Sequence, residues 1–459
     1  MSVLPRRHLI LAAGVLLGLA GGAIAVRKPS DAILLCISLA AILGLAMAGE
    51  RAFPWAIAIV AVVPWYPFVS TKAEPPIFKQ KVLCAAVAAA PLVPWLWSLA
   101  TGGRRTRPSR ASLLMGLLFA GLAILIYASL GSISALIEVE IVGFLFGGVT
   151  FLCARRFGDG RGLLAAAFGA LLVLGLLGID AYTKAPTNRI GYFVGYPITY
   201  GALVVGLLPA ALLYAYNRSR LLAGGVAAGS AALLIFSESR SSWVAIAVML
   251  MVAVLLQARA GNARGLGAIV AGLVVLVVLV LSTGSLHHIV EKRLGSNITS
   301  SDSVTHRKWS YGYALEEVSK RPFFGAQAPG FSGKEAANKT SIGAIDNGYL
   351  SISVDMGLVG LLAAVIPIGV ALRVLGRCLR LGLAPRFELS LALGILGMAV
   401  VTVFYDSFYW AQIDLVLGLM GGVLSTRVTR LTRPEGVARQ TEAPTRLRRG
   451  RSLGWLGSS

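Results

Sequence analysis

Runs of about 20 predominantly apolar residues recur along most of the chain, long enough for helices that cross a bilayer. Apolar residues make up 56% of the 459 residues and charged residues only 14%, so water is not the main solvent. The first run follows Arg6 and Arg7 without a small-residue cleavage signal and a soluble region, so we expect a retained helix rather than a signal peptide. The sequence predicts an all-α, polytopic membrane bundle of about 12 to 14 transmembrane helices. The fourteen runs lie near 8–26, 31–49, 52–70, 82–101, 111–130, 133–153, 161–179, 194–216, 220–236, 242–257, 265–283, 348–372, 388–404 and 408–425.

These runs divide the chain into four parts. Residues 1–283 hold about eleven N-terminal transmembrane helices, and residues 348–425 hold about three C-terminal ones. Between them, residues 284–347 form one long polar loop, in which we expect short helices. Residues 426–459 are basic and rich in Pro, Gly, Ser and Thr, which predicts a disordered cytoplasmic tail that contacts anionic lipid.

The net charge of +22 would suggest nucleic-acid binding in a soluble protein, but the arginines lie in alternate short loops. This is the bias of cytoplasmic loops in membrane proteins. It places both termini in the cytoplasm and the loop 284–347 on the outer side of an inner membrane, with no nucleic-acid partner. The loop arginines are Arg104, Arg105, Arg107, Arg110, Arg155, Arg156, Arg161, Arg218, Arg220, Arg259, Arg264, Arg373, Arg377, Arg380 and Arg386.

An amphipathic helix is predicted from Ser303 to Ser319 within the long loop, with Ser303 as its N-cap. Proline and glycine after Arg321 stop this helix. At the end of the loop, Asp346 and Asn347 open the next apolar run, where helix capping is one interpretation of either side chain. The residues at helical spacing are Val304, Trp309, Tyr313 or Ala314, Leu315 and Val318.

Several ionisable residues lie on the outward face, where the topological bias does not explain them. One alone, such as Arg240, has the alternative role of an interfacial anchor or an ion-pair partner of Glu238. The whole set favours a cationic cradle for an anionic substrate, because the guanidinium fork matches phosphate oxygens. The set is Glu138, Glu140, Asp180, Lys184, Arg189, Glu238, Arg240, Arg307, Lys308, Arg321, Asp346, Asp406 and Asp414.

The sequence lacks the motifs of nucleotide-binding and metal-binding sites. No cytoplasmic loop is long enough for a nucleotide-binding domain, and the sequence contains no GxxxxGK[ST] loop. We therefore predict no cofactor and no metal. The histidines of the loop, none in an HxxH or HExxH spacing, are His287, His288 and His306. The cysteines, none of them in the loop or in a CxxC motif, are Cys36, Cys84, Cys153 and Cys378.

Three stretches of the sequence form a pattern when taken in order. The first stretch is Asn188-Arg189-Ile190-Gly191 with Tyr196-Pro197-Ile198-Thr199-Tyr200-Gly201 before an apolar helix. The second is Ser239-Arg240-Ser241-Ser242-Trp243 at a helix start. The third comprises Arg307 and Trp309, Arg321-Pro322-Phe323-Phe324-Gly325, Gly330-Phe331, Asn347, Tyr349-Leu350 and Gly357-Leu358-Val359-Gly360-Leu361. In this order, the three stretches resemble the O-antigen ligase and O-antigen polymerase superfamily over about residues 150–425.

The resemblance implies an integral-membrane glycosyltransferase of the bacterial inner membrane. Its donor would be a glycan on undecaprenyl diphosphate in the outer leaflet, and its acceptor a glycan or lipid, with neither a metal nor a nucleotide sugar. Arg189, Arg240 and Arg307 would stabilise the diphosphate leaving group. Membrane lipids, a flippase and a chain-length regulator are the further expected partners.

One departure separates this chain from the ligases of that superfamily. Where the ligases carry His-Asn at the end of the loop, with the His proposed as catalytic, this chain has Asp346-Asn347. We predict Asp346 as the group that accepts or orients the proton of the acceptor hydroxyl, with Glu238 or His306 as alternatives. Asn347 and Arg321 are supporting candidates.

The change from His to Asp favours a polymerase of O-antigen, capsule or exopolysaccharide. A ligase that moves the glycan to lipid A core or another acceptor is the alternative. A polysaccharide or lipid transporter or flippase is a candidate of another class, although the sequence shows no convincing internal repeat. A non-catalytic scaffold is the last candidate.

Overall fold

The computed structural model describes residues 52–62, 87, 147–152, 154, 160–184, 189–191, 194, 196–263, 267, 302–325, 345–382, 385–406, 408 and 410–431. These residues are organised as helices joined by short turns, without a β-strand among them. The helices are α1 (Phe53–Val62), α2 (Arg161–Lys184), α3 (Pro197–Arg218), α4 (Arg220–Phe236), α5 (Arg240–Arg259), α6 (Asp302–Lys320), α7 (Gly348–Leu381), α8 (Arg386–Phe404) and α9 (Ala411–Leu431).

Six of these helices are long and apolar enough to cross a membrane: α2, α3, α5, α7, α8 and α9. The all-α membrane bundle is therefore confirmed for the described residues. Apolar α1 and α4 are shorter, with 10 and 17 residues. Each of the eight coincides with a predicted run. The predicted runs near 8–26, 31–49, 82–101, 111–130, 133–153 and 265–283 lie wholly or mostly outside the described residues.

Close contacts between helix backbones hold the centre of the bundle together. Gly394 of α8 lies directly against the carbonyl oxygen of Gly206 in α3, where a Cβ on Gly394 would clash with that oxygen. Small residues of this kind allow membrane helices to approach each other closely. Next to this contact, Met398 is fully buried and lies against Gly206. Helices α3 and α8 thus form a rigid centre on which the neighbouring helices pack.

The bundle has two ends with different composition. One, which we call the loop end, is formed by the described residues of segments 189–196, 237–240, 345–351 and 405–410. There the Gly348 N–H donates to the Tyr405 carbonyl oxygen over 3.1 Å, and the Gln412 side chain donates to the Val194 carbonyl oxygen over 3.0 Å. The other, the arginine-rich end, carries Arg161, Arg218, Arg220, Arg259, Arg377, Arg380, Arg386 and Arg427.

Helix α7 bends near the loop end. Its 34 residues would span about 50 Å, more than the roughly 30 Å of a hydrocarbon core. At Gly357 the backbone leaves the helical region, with φ 64° and ψ −158°. The bend directs two α7 N–H groups to the turn that follows α6. Leu358 donates to the Pro322 carbonyl oxygen over 2.8 Å, and Val359 donates to that of Phe323 over 3.3 Å.

Helix α6 confirms the helix predicted in the loop, with two corrections. It begins at Asp302, so Ser303 is its second residue and not its N-cap. The predicted apolar face is also only partly buried, because α6 packs against α7 through a narrow strip of Ala314 and Val318. Trp309 and Leu315 are 37% and 60% exposed.

Candidate functional site

Arg189 is bound to the turn between α4 and α5. Its Nε donates to the Ser237 carbonyl oxygen over 3.1 Å, and its Nη2 donates to the Glu238 carbonyl oxygen over 3.4 Å. Glu238 has a φ of 50°, a left-handed conformation that is uncommon for residues with a Cβ and that often occurs at functional sites. This unusual turn directs two adjacent carbonyls toward one guanidinium and so fixes the position of Arg189.

Arg240 begins α5 directly after that turn. The preceding residue, Ser239, makes no side-chain capping bond to the helix. Its hydroxyl instead lies 3.1 Å from the Ser241 hydroxyl and 2.8 Å from that of Ser242. Because a helix N-terminus carries partial positive charge, Arg240 and the start of α5 add to the positive potential beside Arg189.

Arg307 and Asp346 come together from distant parts of the chain. Arg307 Nε lies 3.5 Å from Asp346 Oδ2, and the two side chains are 31% and 29% exposed. One turn further along α6, the Tyr311 hydroxyl lies within hydrogen-bond distance of the Asp346 carbonyl oxygen (3.4 Å) and that of Val403 (3.3 Å). Helix α6 is thus positioned over the start of α7 and the end of α8, with a carboxylate and a guanidinium accessible at the junction.

Asn347, rather than Asp346, caps α7. Its Oδ1 accepts from the N–H groups of Tyr349 and Leu350 over 3.0 and 3.1 Å. The capping interpretation of Asp346 is therefore wrong, while that of Asn347 is confirmed. Since the neighbouring amide performs the capping, the Asp346 carboxylate is directed to Arg307 instead.

Two tyrosines connect the Arg189 side of the loop end with the Asp346 side. Arg189 Cζ lies 5.9 Å from the centre of the Tyr196 ring. The Tyr196 ring stacks on the Tyr405 ring, with centroids 5.9 Å apart and planes inclined by 10°. The Tyr405 carbonyl in turn accepts from Gly348, two residues after Asp346. A continuous series of contacts therefore joins the two charged groups.

The Tyr405 hydroxyl is enclosed by protein. It accepts from Trp410 Nε1 over 2.6 Å and lies 3.3 Å from the Thr199 hydroxyl. Burial raises the pKa of this phenol far above its ordinary value, so it remains protonated. The next residue, Asp406, accepts from the Ser351 hydroxyl over 2.8 Å. The segment between α8 and α9 is thus fastened to α3 and to α7.

Sequence reasoning gave no role to Tyr196, Tyr311, Tyr405 or Trp410. The available signal was the aromatic run Phe404-Tyr405-Asp406-Ser407-Phe408-Tyr409-Trp410 between two apolar helices. Aromatic residues are common at membrane interfaces, so the run by itself indicated only a boundary.

The remaining candidates are more scattered. Glu238 lies in the turn that binds Arg189. Arg321 is exposed, and its carbonyl accepts from Gly325 in the turn beside the α7 bend. His306 belongs to α6, but its side chain lies outside the described part of the structure, as do His287 and His288. Among the described residues, no three His, Cys, Asp or Glu side chains are grouped closely enough to hold a metal ion.

Comparison with known families supports the resemblance. A family model described as O-antigen ligase matches residues 225–365, which run from α4 to the first half of α7. The match contains Glu238, Arg240, Arg307 and Asp346, whereas Arg189 precedes it. No curated protein matches the chain. The chain is therefore similar to the O-antigen ligase and polymerase superfamily of membrane proteins that transfer glycans.

Proposed function

We propose that the chain is a membrane glycosyltransferase that polymerises glycan repeat units from an undecaprenyl-diphosphate-linked donor at the outer face of the bacterial inner membrane. The product would be an O-antigen, a capsule or an exopolysaccharide. The contact between Arg307 and Asp346 beside the start of α7 carries the proposal, because it pairs a proton acceptor with a phosphate-binding group. The match to the O-antigen ligase family supports it.

The arginines would act on the leaving group. Negative charge develops on the diphosphate as the bond between the anomeric carbon and the phosphate oxygen breaks. Fixed cations near that oxygen stabilise the transition state more than the ground state. In the proposed mechanism, Arg189, Arg240 and Arg307 supply this positive charge, and the reaction requires no metal ion. The bonds from Arg189 to the Ser237 and Glu238 carbonyls would hold its guanidinium in place before the donor binds.

Asp346 would act on the acceptor. The acceptor hydroxyl oxygen attacks the anomeric carbon, its proton passes to the Asp346 carboxylate, and the electron pair of the broken bond remains on undecaprenyl diphosphate. Arg307 orients the carboxylate from 3.5 Å. Glu238 and His306 remain alternative candidates for the base.

This proposal also assigns an orientation. The loop end faces outward, where the lipid-linked donor is presented, and both termini lie in the cytoplasm. Membrane lipids surround the helices, and a flippase and a chain-length regulator are the proposed protein partners.

A ligase is the second candidate, and one observation favours it: the matching family model is described as O-antigen ligase. In that case the same donor is used, but the glycan passes to lipid A core or another acceptor. Asp346, standing where ligases of this superfamily carry histidine, favours the polymerase.

The test is expression of the full chain in two bacterial hosts, one lacking its polymerase and one lacking its ligase. Glycan ladders on gels would show which defect is corrected. Arg189→Ala and Arg240→Ala should abolish the product at unchanged protein amounts. Arg218→Ala, at the arginine-rich end, is the matched control and should retain it. A full-length ladder from Arg189→Ala would contradict the diphosphate role, and correction of neither defect would contradict both functions.

A further inference from the structure

We infer that the stacked rings of Tyr196 and Tyr405 form a binding platform for the reacting sugar of the donor. The inference rests on the proposed glycosyl transfer and assigns to these side chains a contact with the pyranose ring at the loop end. The stacking of Tyr196 on Tyr405 is not explained by the charged residues of the loop end or by the cap at the start of α7.

The tyrosine pair occupies the position at which the reacting sugar is expected. In a direct displacement, the acceptor hydroxyl attacks the anomeric carbon from the side opposite the departing diphosphate, so the sugar lies between Arg189, which binds the diphosphate, and the proposed base Asp346. The tyrosine pair lies between those two groups. Tyr196 is 5.9 Å from Arg189 Cζ, and the Tyr405 carbonyl is hydrogen-bonded to Gly348, next to the Asp346-Asn347 pair.

The exposure of the Tyr196 side chain also favours contact with a ligand. Tyr200, one turn along α3 from Tyr196, is fully buried and donates to the Leu174 carbonyl oxygen over 3.1 Å. It is a packing residue. Tyr196 instead remains 38% exposed, although it stacks on one ring and lies against one guanidinium. A large apolar surface held rigidly beside charged groups is suited to a ligand that has both polar and apolar faces.

Aromatic rings also have the chemical properties needed to bind a sugar. Pyranose sugars have a face of C–H groups, which packs well against the negative face of an aromatic ring. Glycosyl transfer also passes through an oxocarbenium-like state, whose positive charge is attracted to an electron-rich ring. The Tyr405 hydroxyl is already bonded to Trp410 Nε1, so this residue offers its ring rather than its oxygen to the sugar.

The bonds around Tyr405 make the platform rigid. The contacts of its hydroxyl with Trp410 and Thr199 fix the tip of the ring, and the bond from Gly348 fixes its backbone. A preformed surface gives up little conformational entropy when the sugar binds. The backbone of the stacking partner, Tyr196, is fixed at the start of α3, where its carbonyl accepts from the Tyr200 N–H over 3.0 Å.

The experiment compares leucine and phenylalanine at both positions in the purified full-length protein. Tyr196→Leu and Tyr405→Leu remove the aromatic face, whereas Tyr196→Phe and Tyr405→Phe keep it and remove only the hydroxyl. Transfer is measured with lipid-linked oligosaccharide extracted from the host whose ladder the wild type restores. Binding of undecaprenyl diphosphate without sugar is measured in parallel as the probe of the diphosphate subsite.

We expect each leucine variant to lose about tenfold in kcat/KM, the amount expected for one aromatic contact. Tyr196→Phe and Tyr405→Phe should each lose less transfer than the corresponding leucine variant, because the ring remains, and none of the variants should bind undecaprenyl diphosphate differently. A leucine variant with wild-type transfer would overturn the inference. So would weaker binding of the sugar-free probe, because the tyrosine would then act through Arg189 or the fold.

Failure of the proposed function is distinguishable from failure of the platform. If the wild type transfers no glycan, the proposed function is wrong and the platform with it, whereas full transfer by Asp346→Asn and Arg189→Ala would contradict only the roles assigned to those two residues. If those two variants are inactive while the leucine variants are normal, only the platform is wrong.

Discussion

The two ends of the helix bundle contain the same kinds of charged and aromatic contact. At the arginine-rich end, Arg427 Nη1 lies 3.9 Å from Glu388 Oε1, and Arg427 Cζ lies 5.1 Å from the Phe387 ring centre. At the loop end, Arg307 pairs with Asp346 over 3.5 Å, and Arg189 lies 5.9 Å from the Tyr196 ring centre. The residue types in these two sets of contacts would not by themselves distinguish the ends.

Their surroundings differ. The Arg427–Glu388 pair joins the membrane helices α8 and α9, and the Glu388 side chain is only 10% exposed. The Arg307–Asp346 pair joins a loop helix to the residue before a helix cap, and both partners remain about 30% exposed. At the same end, Arg189 is bound by backbone carbonyls of an irregular turn rather than by helix side chains. The first arrangement fits an anchor between helices, and the second leaves both charged side chains partly exposed to solvent.

Asp346→Asn is expected to have the largest effect on the glycan product. A normal product from this variant would contradict the functional difference between the two ends. The amide cannot take a proton from the acceptor, so the glycan product should fall at least about 100-fold. Thermal melting in detergent should change little, because Asn347 caps α7 and a partly exposed ion pair contributes under about 1 kcal/mol. The product is measured from gel ladders normalised to the amount of protein.

A ladder of normal intensity from Asp346→Asn would leave the loop end with an ion pair of no catalytic importance. Glu238→Gln, tested beside it, would then show whether the other carboxylate at this end is the base. A large loss of melting temperature would instead mean that Asp346 supports the fold.

Gly357→Ala tests whether the bend of α7 positions the loop. The residue has φ 64°, and a Cβ there would collide with the backbone of Phe323 and Phe324. We expect about 1–3 kcal/mol of destabilisation, faster proteolysis after α6, and less product. Gly376→Ala, later in the same helix and with open space around its Cβ position, is the matched control. Equal melting temperatures for the two variants would contradict a structural role of the bend.

Within the described residues, the sequence predicted the helices well because hydrophobic length is a local property. The runs 220–236 and 388–404 correspond closely to α4 and α8, and the loop helix was placed within one residue at each end. The bend of α7 could not be derived in the same way. It depends on a turn more than thirty residues earlier in the chain, whose carbonyls receive the N–H groups of Leu358 and Val359.

The site was predictable in part, for a similar reason. The cost of charge at a membrane boundary indicated Arg189, Arg240, Arg307 and Asp346 as candidates. The sequence pattern could not show whether Asp346 or Asn347 caps α7, because the choice depends on backbone geometry. The tyrosine pair could not be predicted from the sequence, because Tyr196 and Tyr405 are brought together only by the packing of α3 against α8.

Asn347→Ala should have a moderate effect at the loop end. Loss of the capping oxygen leaves the N–H groups of Tyr349 and Leu350 without their acceptor, which should destabilise the protein by about 1 kcal/mol. Product should fall less than in Asp346→Asn, because the carboxylate remains. Asn347→Asp keeps an oxygen at the cap and should melt like the wild type. Equal melting of the alanine and aspartate variants would contradict the capping role.

Glu388→Gln should have the smallest effect on the glycan product, and it tests whether the two ends differ in function. The substitution removes the ion pair with Arg427, but the 3.9 Å separation is too long for a hydrogen bond, and Arg427 keeps its contact with the Phe387 ring. Because the Glu388 side chain is only 10% exposed, we expect up to about 3 kcal/mol of destabilisation, but an unchanged glycan product per molecule of protein. Melting in detergent and the glycan ladder measure these two quantities on the same preparation. A product loss comparable to that of Asp346→Asn would mean that the arginine-rich end also takes part in the reaction, and the distinction between an anchor and a site would then be wrong.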